Sequence, residues 1–231
     1  MVGDFRRLYP FDSHFLNRDG LRYHYLDEGR GDPIVMLHGN PTWSFYFRRM
    51  VRGLSPEYRC IVPDHIGCGL SDKPGADRYG YRLEHRVADL EHLLNFLCID
   101  RNITLMVHDW GGMIGTIYAL RHPNRIKRLI LTNTAGFPPP GNKGLPIRLW
   151  LIRYLTFFAV PAVLGVNLFA RAALYMAPRK PLPPEVKAGL IAPYDCPRHR
   201  IATLKFVQDI PMTAKDPSHE LVTWADHHMD R

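Results

Sequence analysis

The sequence is poor in cysteine and lacks the spacings that metal sites and disulfide frameworks use. Its four cysteines lie far apart, and no two of them form a C-x-x-C pair: Cys60, Cys68, Cys98 and Cys196. A disulfide-stapled secreted domain and a zinc ribbon are therefore not expected. The first residues, MVGDFRRLYPFDSHF, contain no apolar run of the kind that a secretory signal has. We expect a cytoplasmic protein with reduced thiols.

Long uninterrupted apolar runs are also missing. The nearest approach is residues 149–176, where Arg153, Asn167 and Arg171 interrupt the apolar side chains and Pro161 breaks the run. A membrane-spanning helix needs about 20 consecutive apolar residues. The segment therefore predicts helices that bury most of their faces or cover an apolar cavity. A loose association with a membrane stays open on this composition.

The basic residues form no dense block. The formal net charge is +8, from 30 Lys and Arg against 22 Asp and Glu, and the basic residues are scattered. A solvated surface accounts for such a pattern better than a nucleic-acid site does, so no nucleic-acid partner is expected. With 231 residues and 46% hydrophobic side chains, the chain is long enough for one sizeable core.

What the sequence does contain is an alternation of strand-like and helix-like segments. The strand-like runs are LRYHYLDEG, DPIVMLHGN, RCIVPDHIG, NITLMVHDW and RIKRLILTNT. Between them, one helical face is formed by Leu83, Val87, Leu90, Leu94 and Leu97. Apolar strands that alternate with helices predict an α/β fold with a mostly parallel sheet, flanked by helices. Polar turns at residues 38–41, 64–69 and 109 fall at the carboxyl ends of strands, where such sheets carry their sites.

The pattern changes after Thr134. The proline- and glycine-rich segment AGFPPPGNKGLP is followed by apolar helices and a second proline cluster, and no strand is evident. We therefore predict an N-terminal core over residues 1–135 and a helical cap over residues 136–217. Residues 218–231 are expected to begin a return to the core, which the sequence leaves incomplete.

Asp109 stands between a strand-like run and a glycine pair, Gly111 and Gly112. A strand, a sharp turn and a helix are the geometry of a nucleophile elbow, in which small residues must flank the nucleophile. A carboxylate is ionised at neutral pH, needs no base to attack, and is stabilised by the helix N-terminus. Asp109 is therefore the candidate nucleophile, although Val107 stands where glycine is commoner. The alternative is a simple N-cap aspartate.

A second motif, HGNPTWS, follows another predicted strand. In elbow hydrolases, a loop at this position donates a backbone N–H to an oxyanion hole, which makes His38 and Gly39 the candidate oxyanion loop. Asn40 and Trp110 add a side-chain amide and an indole N–H. Donors aimed at a departing anion stabilise the transition state. The alternatives are a plain turn for Asn40 and a core aromatic for Trp110.

Together, HGNPTWS, DHIGCGLSDKP and VHDWGG resemble the α/β-hydrolase fold, specifically the haloalkane dehalogenases and their relatives, from about Tyr9 to the end of the chain. The resemblance implies that Asp109 is the nucleophile and that Asn40 and Trp110 hold the leaving halide. DHIGCGLSDKP, with Cys68, and APYDCPRHRIATLKFVQDIP resemble a narrower branch: β-lactone decarboxylases that release long-chain alkenes in bacterial olefin biosynthesis. This implies a small hydrophobic substrate and an assembly with other enzymes of that route. No cofactor and no metal are expected.

One departure from the family pattern is large. The family completes its reaction with a histidine on a late loop, held by an acid, in the order nucleophile, acid, histidine. The final residues, HELVTWADHHMDR, resemble the helix that leads out of the cap, so we expect a fragment or a base supplied elsewhere. His227 and His228 come too early in the fold to be that base, and His38 and His108 are expected to be structural. The strand before the cap ends in TNT at residues 132–134, without an acid.

Three other functions stay open. A haloalkane dehalogenase would cleave a carbon–halogen bond with the same residues. An epoxide hydrolase would need cap tyrosines to protonate the epoxide oxygen, with Tyr154, Tyr175 and Tyr194 available, but Asn40 argues against it. A protein of a different class would bind a hydrophobic ligand without turnover.

Overall fold

The computed structural model describes residues 5–134 and 144–229. Six strands form one sheet: β1 His14–Arg18, β2 Leu21–Glu28, β3 Pro33–Leu37, β4 Arg59–Pro63, β5 Ile103–His108 and β6 Ile126–Thr132. They lie in the order β1-β2-β4-β3-β5-β6. The strands β3, β4, β5 and β6 pair in parallel, whereas β2 pairs antiparallel with both β1 and β4. The predicted α/β fold with a mostly parallel sheet is confirmed.

Within the described residues, three α-helices lie among the strands and six follow them: α1 Arg48–Leu54, α2 Leu83–Phe96, α3 Trp110–Arg121, α4 Ile147–Tyr154, α5 Thr156–Ala159, α6 Leu168–Met176, α7 Pro184–Ile191, α8 Ile201–Gln208 and α9 His219–Asp226. Residues 144–229 contain no strand. The predicted boundary at residues 135 and 136, and most of the proline-rich segment, lie outside the described residues. The three domain limits therefore stay predictions.

The strand β1 escapes the sequence patterns. Its five residues, HFLNR, have only two apolar members, and pairing with β2 supplies the stability that composition does not. A tight hairpin turn at Asp19 and Gly20 joins the two strands, and both residues have positive φ, at 52° and 80°. Asp-Gly pairs favour such turns because glycine reaches positive φ without strain. The helix α1 was not predicted either, because the segment that contains it was interpreted only as the loop that begins with HGNPTWS.

Helices cover both faces of the sheet. On one face, Val35 and Leu105 pack with α2 and α3, whereas on the other Met36 and Met106 pack with Val51 of α1. Successive strand residues alternate between the faces, so a strand covered on both sides is apolar throughout. The predicted face of α2 is confirmed for its first four leucine and valine positions, while Leu97 lies just beyond the helix end and is partly buried.

The helices of residues 149–176 differ from expectation. Ile152, Ala159 and Val163 pack inward against α8, but Phe157 and Tyr175 are 79% and 71% exposed. Of the two alternatives, the expectation that these helices bury most of their faces is therefore wrong, and the expectation that they cover an apolar cavity stays a prediction. Each helix is short and lies against other cap helices on one side only.

Among residues 5–134 and 144–229, no single helix has both the length and the apolar composition to cross a membrane. The segments Ile147–Tyr154 and Thr156–Gly165 satisfy both criteria only as a pair, and a bend of 101° separates them.

Candidate active site

Asp109 occupies the sharp turn between β5, which ends at His108, and α3, which begins at Trp110. Its backbone has φ 52° and ψ −126°, a conformation that residues other than glycine rarely adopt. The first turn of α3 follows at once, since the Gly112 N–H donates to the Asp109 carbonyl at 2.9 Å. The Thr134 hydroxyl, beyond the end of β6, donates to the same carbonyl. This is the backbone geometry of a nucleophile elbow.

Close backbone approach explains the glycines around the elbow. A Cβ atom added to Gly39 would lie 2.1 Å from Asp109 Oδ1, and one added to Gly111 would lie 2.1 Å from the Leu37 carbonyl oxygen. Real Cβ atoms do not approach other atoms so closely, and a backbone oxygen cannot move aside. The carboxyl end of β3 and the start of α3 can therefore meet only without side chains at these positions.

Two backbone N–H groups hold the Asp109 carboxylate. The Asn40 N–H donates to Asp109 Oδ1 at 2.6 Å, and the Trp110 N–H makes a second hydrogen bond to the carboxylate. Burial raises the pKa of Asp109 above its ordinary value of 3.8, while these two hydrogen bonds oppose the rise by stabilising the anion. In an elbow hydrolase such donors form the oxyanion hole. Here they point at the nucleophile candidate itself.

The side chains of Asn40 and Trp110 both reach helix α8 of the cap. Asn40 Nδ2 donates to the Thr203 carbonyl at 3.0 Å, and Asn40 Oδ1 is buried with no hydrogen-bond partner among the described residues. The Trp110 ring lies 5.2 Å from the Phe206 ring, centroid to centroid. Trp110 follows Asp109 directly in the chain, whereas Asn40, 69 positions away in sequence, is brought next to Asp109 by the fold. Their role in holding a leaving group stays a prediction.

His38 is fully buried and holds the candidate oxyanion loop. Its Nε2 accepts the His65 backbone N–H at 3.2 Å, so Nδ1 carries the proton and donates to the Gly39 carbonyl at 3.0 Å. Burial lowers the pKa of His38, which keeps the ring neutral. His65 Nε2 donates in return to the His38 carbonyl at 3.0 Å. Both ring nitrogens of His38 are used by backbone groups, which agrees with a structural role.

The buried carboxylate of Asp64 holds several segments near the elbow together. The sequence places it in a polar turn at a strand end but indicates no role for it. Its carboxylate accepts the backbone N–H groups of Ser44 at 2.6 Å and Leu70 at 2.8 Å, and His24 Nδ1 lies 2.8 Å away. Burial opposes its ionisation, but the charge and hydrogen bond of His24 outweigh this and lower the pKa of Asp64 to about 2. Asp64 thereby ties the segment after the oxyanion loop to β2 and to the turn after β4. The sequence feature that could have indicated this role is the acidic residue in the polar turn that follows β4.

The residues that follow the oxyanion loop also anchor the cap. Besides the Asn40 amide, Trp43 Nε1 donates to the Gly189 carbonyl of α7 at 2.9 Å. In the other direction, the Tyr194 hydroxyl donates to the Thr42 carbonyl at 2.9 Å. Three hydrogen bonds made by Asn40, Thr42 and Trp43 therefore hold α7, α8 and the segment between them to this part of the core. No sequence pattern indicated this second role of HGNPTWS.

The other histidines have partners away from the elbow carboxylate. The His108 ring stacks on Tyr46 at 4.4 Å, and burial, together with the charge of His38, lowers the pKa of His108 to about 4. His228 stacks on Trp224, and its Nδ1 bonds the Trp224 carbonyl at 2.7 Å, while His227 caps the end of α9. Within residues 5–134 and 144–229, the hydrogen bonds of these three side chains do not reach Asp109. This agrees with the expectation that none of them is the base.

The tyrosines that an epoxide hydrolase would need are not gathered at the elbow. Tyr154 and Tyr175 are exposed on the cap, and the hydroxyl of buried Tyr194 is committed to the Thr42 carbonyl. An epoxide oxygen would need a free hydroxyl facing the nucleophile. These three residues do not provide one in this arrangement.

One group of metal-type ligands occurs in the described part of the chain. Asp195, Cys196 and His199 of the cap place their ligand atoms within 4.8 Å of one another, and His199 Nδ1 bonds Asp195 Oδ1 at 2.6 Å. Asp195 and His199 line a polar groove of about 520 Å³ that the elbow residues do not line. The cluster therefore gives no metal ligand to the elbow. The expectation of no cofactor stays a prediction.

Comparisons with known proteins agree with this geometry. A family model described as the alpha/beta hydrolase fold matches residues 32–159. The cis-3-alkyl-4-alkyloxetan-2-one decarboxylase of Shewanella oneidensis is 50% identical over 217 residues, which cover 94% of this chain and 68% of that protein. A protein of the same name from Xanthomonas campestris pv. campestris is 45% identical, over 89% of this chain and 70% of that protein.

The fold is also similar to solved structures. The haloalkane dehalogenase DatA from Agrobacterium tumefaciens superposes with a TM-score of 0.82 at 26% identity, over 95% of this chain and 74% of that one. The similarity covers both the strands and the helices that follow them. The elbow, the oxyanion loop and the cap therefore occur here in an arrangement that is shared with enzymes.

Proposed function

The chain belongs to the α/β-hydrolase fold family, and on that premise we propose that it is an enzyme that opens a long-chain β-lactone and decarboxylates it to an alkene. The observation that carries the proposal is an aspartate at the strained turn of the elbow, held by two backbone N–H groups. Serine would need a base to attack, whereas this carboxylate does not. The similarity to two decarboxylases of dialkyl β-lactones supplies the substrate class.

In the first step, the Asp109 carboxylate attacks the ring carbon that carries both an alkyl chain and the ring oxygen. The bond between that carbon and the ring oxygen breaks, and its electron pair stays on the oxygen, which becomes part of a free carboxylate. The product is an ester of Asp109. The developing anion needs hydrogen-bond donors, and the candidates are the Asn40 amide and the Trp110 indole N–H.

In the second step, the bond between the carboxylate and the chain breaks, and its electron pair forms the double bond of the alkene. Carbon dioxide leaves, and the bond from the chain to Asp109 breaks, which regenerates the Asp109 carboxylate. The Asn40 and Trp110 backbone N–H groups stabilise that carboxylate as it departs. The sequence of steps consumes no water, so it needs no general base to activate one.

The test is conversion of a cis-dialkyl β-lactone, followed by gas chromatography of the alkene and by release of carbon dioxide. Asp109→Asn and Asp109→Ala should reduce both to the level without protein. Asp19→Asn is a matched control, because Asp19 has the same φ of 52° but lies in an exposed turn. Alkene formation by Asp109→Asn at the wild-type rate would remove Asp109 from the mechanism.

A second candidate is haloalkane dehalogenation, which the adjacent Asn40 and Trp110 side chains favour. Attack by Asp109 would release halide, but the resulting ester must then be hydrolysed by water with a general base. Halide release is measured with haloalkane in excess. Sustained release beyond one equivalent of protein would require a general base and would favour dehalogenation, whereas alkene formation from the lactone requires no such base. Absence of both products, with retained binding of a hydrophobic ligand, would favour a non-catalytic binder. The proposed reaction would belong to bacterial olefin biosynthesis in the cytoplasm.

A further inference from the structure

Acidic residues are absent from one third of the chain. Residues 110–184 contain no Asp or Glu but ten Lys and Arg, although the whole chain has 22 acidic residues. The stretch includes α4, α5 and α6 of the cap. The positive net charge of the protein is therefore concentrated in this stretch, although its basic residues form no dense block.

The same cap helices expose apolar side chains. In α4, Trp150 and Tyr154 lie four positions apart on one exposed face, and their rings are 5.6 Å apart. Phe157 of α5 and Tyr175 of α6 are exposed as well, as is Leu168 at the start of α6. We call these five residues the cap surface. Single exposed apolar residues are ordinary, but a concentration of large ones on neighbouring helices marks an interaction site.

Basic side chains accompany the cap surface on its outer side. Lys187 Nζ lies 4.1 Å from the centre of the Tyr175 ring. Arg171 lies one helical turn from Leu168 and Tyr175 and is exposed, and Lys180 follows α6 in an exposed position. By contrast, Arg153 points inward, where it pairs with Asp216. The inward cation Arg153 has an acidic partner, whereas the exposed Arg171 and Lys180 lie in the stretch without acidic residues.

We propose that the cap surface docks on the face of an anionic lipid bilayer. Tryptophan and tyrosine are favoured at the boundary between acyl chains and water, because their rings are apolar and their N–H or O–H stays hydrated. Lysine and arginine around them attract anionic headgroups. The bend of 101° between α4 and the following segment suits a helix pair that lies in the interface. A second copy of the chain would instead bring two surfaces with exposed basic side chains together.

The proposal goes beyond the proposed function and does not depend on it. Its test is co-sedimentation of the protein with phosphatidylcholine vesicles, with and without 30% phosphatidylglycerol. Phe157→Ser should lower the partition coefficient by at least about tenfold, because one large apolar side chain no longer enters the interface. Phe96→Ser is the matched control, because Phe96 is an exposed aromatic of core helix α2 and should leave binding unchanged.

Charge reversal tests whether the basic side chains attract anionic headgroups. Arg171→Glu with Lys180→Glu should reduce binding to the phosphatidylglycerol vesicles by at least about tenfold and affect pure phosphatidylcholine much less. High salt should have the same selective effect. Brominated lipids should quench fluorescence of the unmodified protein, which tests contact with the bilayer without any substitution. Trp150→Phe should remove most of that quenching, because Trp150 is the tryptophan of the cap surface.

Equal partitioning of Phe157→Ser and Phe96→Ser would overturn the proposal. So would binding that is insensitive to phosphatidylglycerol and to charge reversal. Analytical ultracentrifugation tests the alternative that a second copy of the chain binds the cap surface. If Phe157→Ser abolishes self-association while vesicle binding is unchanged, the cap surface is an interface between copies and the proposal is wrong. Circular dichroism of each variant establishes that the comparison is made between folded proteins.

Discussion

The core around the elbow and the cap helices α4–α6 differ in which side chains they bury and which they expose. Around the elbow, charged and polar side chains are buried and have several partners, as Asp64 does with Ser44, Leu70 and His24. In α4–α6, large apolar side chains such as Phe157 are exposed. The difference indicates that the core is built for fixed geometry, because each buried charge restricts where its partners can lie. The cap is built to present a surface.

A similar contrast separates the interiors of the two regions. In the core, several glycines lie where a Cβ atom has no room: one added to Gly39 would meet the Asp109 carboxylate, and one added to Gly111 would meet the Leu37 carbonyl oxygen. In the cap, a buried arginine gathers the helices: Arg200 donates to the carbonyls of Leu164, Gly165, Tyr194 and Asp195. One long side chain with several donors can hold loops together without close backbone packing.

The largest effect should come from filling the contact at Gly39. In Gly39→Ala the new methyl group would meet Asp109 Oδ1, so the loop or the nucleophile must move by about 1 Å. Misplacement on that scale costs about two orders of magnitude in rate. We expect alkene formation to fall at least about 100-fold. Gly165→Ala of the cap, where nothing lies within 4 Å, should retain the wild-type rate. Similar rates for the two variants would contradict the contrast between core and cap.

Removal of the buried charge of Asp64 should have the largest effect on stability. Asp64→Asn leaves His24 and the two backbone donors without their anion, and breaking such a buried pair costs about 3–5 kcal/mol. The free energy of unfolding, from urea titration at pH 7, checks this value. The folded-state pKa of about 2 is below the ordinary 3.8, so this stabilisation is present above pH 3.8 and is lost as pH falls towards 2. Asp64→Asn should lack that part of the acid dependence.

A third prediction concerns the pH dependence of the reaction. Only ionised Asp109 attacks, and burial raises its pKa above 3.8. As pH is lowered, the rate of ester formation should therefore begin to fall at a higher pH than an ordinary carboxyl would give, with a plateau on the alkaline side. Rapid-quench measurement of the Asp109 ester at a series of pH values tests this. A rate that stays constant down to pH 4 would contradict the raised pKa.

The smallest effect should come from the hydrogen bonds that fix the cap. Tyr194→Phe removes the hydroxyl that donates to the Thr42 carbonyl and should cost about 1 kcal/mol of stability. Because the bond links the cap to the oxyanion loop, KM for a long-chain lactone should rise more than kcat falls. Tyr175→Phe, on an exposed tyrosine, serves as the control. Equal kinetic parameters for the two variants would mean that the cap does not depend on this anchor.

The elbow is the part of the site that a local sequence pattern predicts best. A β-branched run, a carboxylate and a glycine pair occupy ten consecutive residues, so the strand, the turn and the helix are all specified by neighbours in the chain. The position of the candidate nucleophile could therefore be predicted, as could the strands β2–β6, whereas the strand β1 and the helix α1 were missed. The exposed faces of α4–α6 could not, because burial depends on which helices pack together, and apolar composition is the same for an inward and an outward residue.

The sequence by itself determined the α/β alternation, the helical texture of residues 144–229, and the placement of Asp109, Asn40 and Trp110 near one another at strand ends. These follow from periodicity and turn chemistry, which act over a few residues. Only the tertiary structure decided that Asp64 holds the segment after the oxyanion loop, and that Tyr194 reaches Thr42, 152 residues away along the chain. Such contacts join segments that share no local pattern, so they exist only once the sheet and the cap have packed.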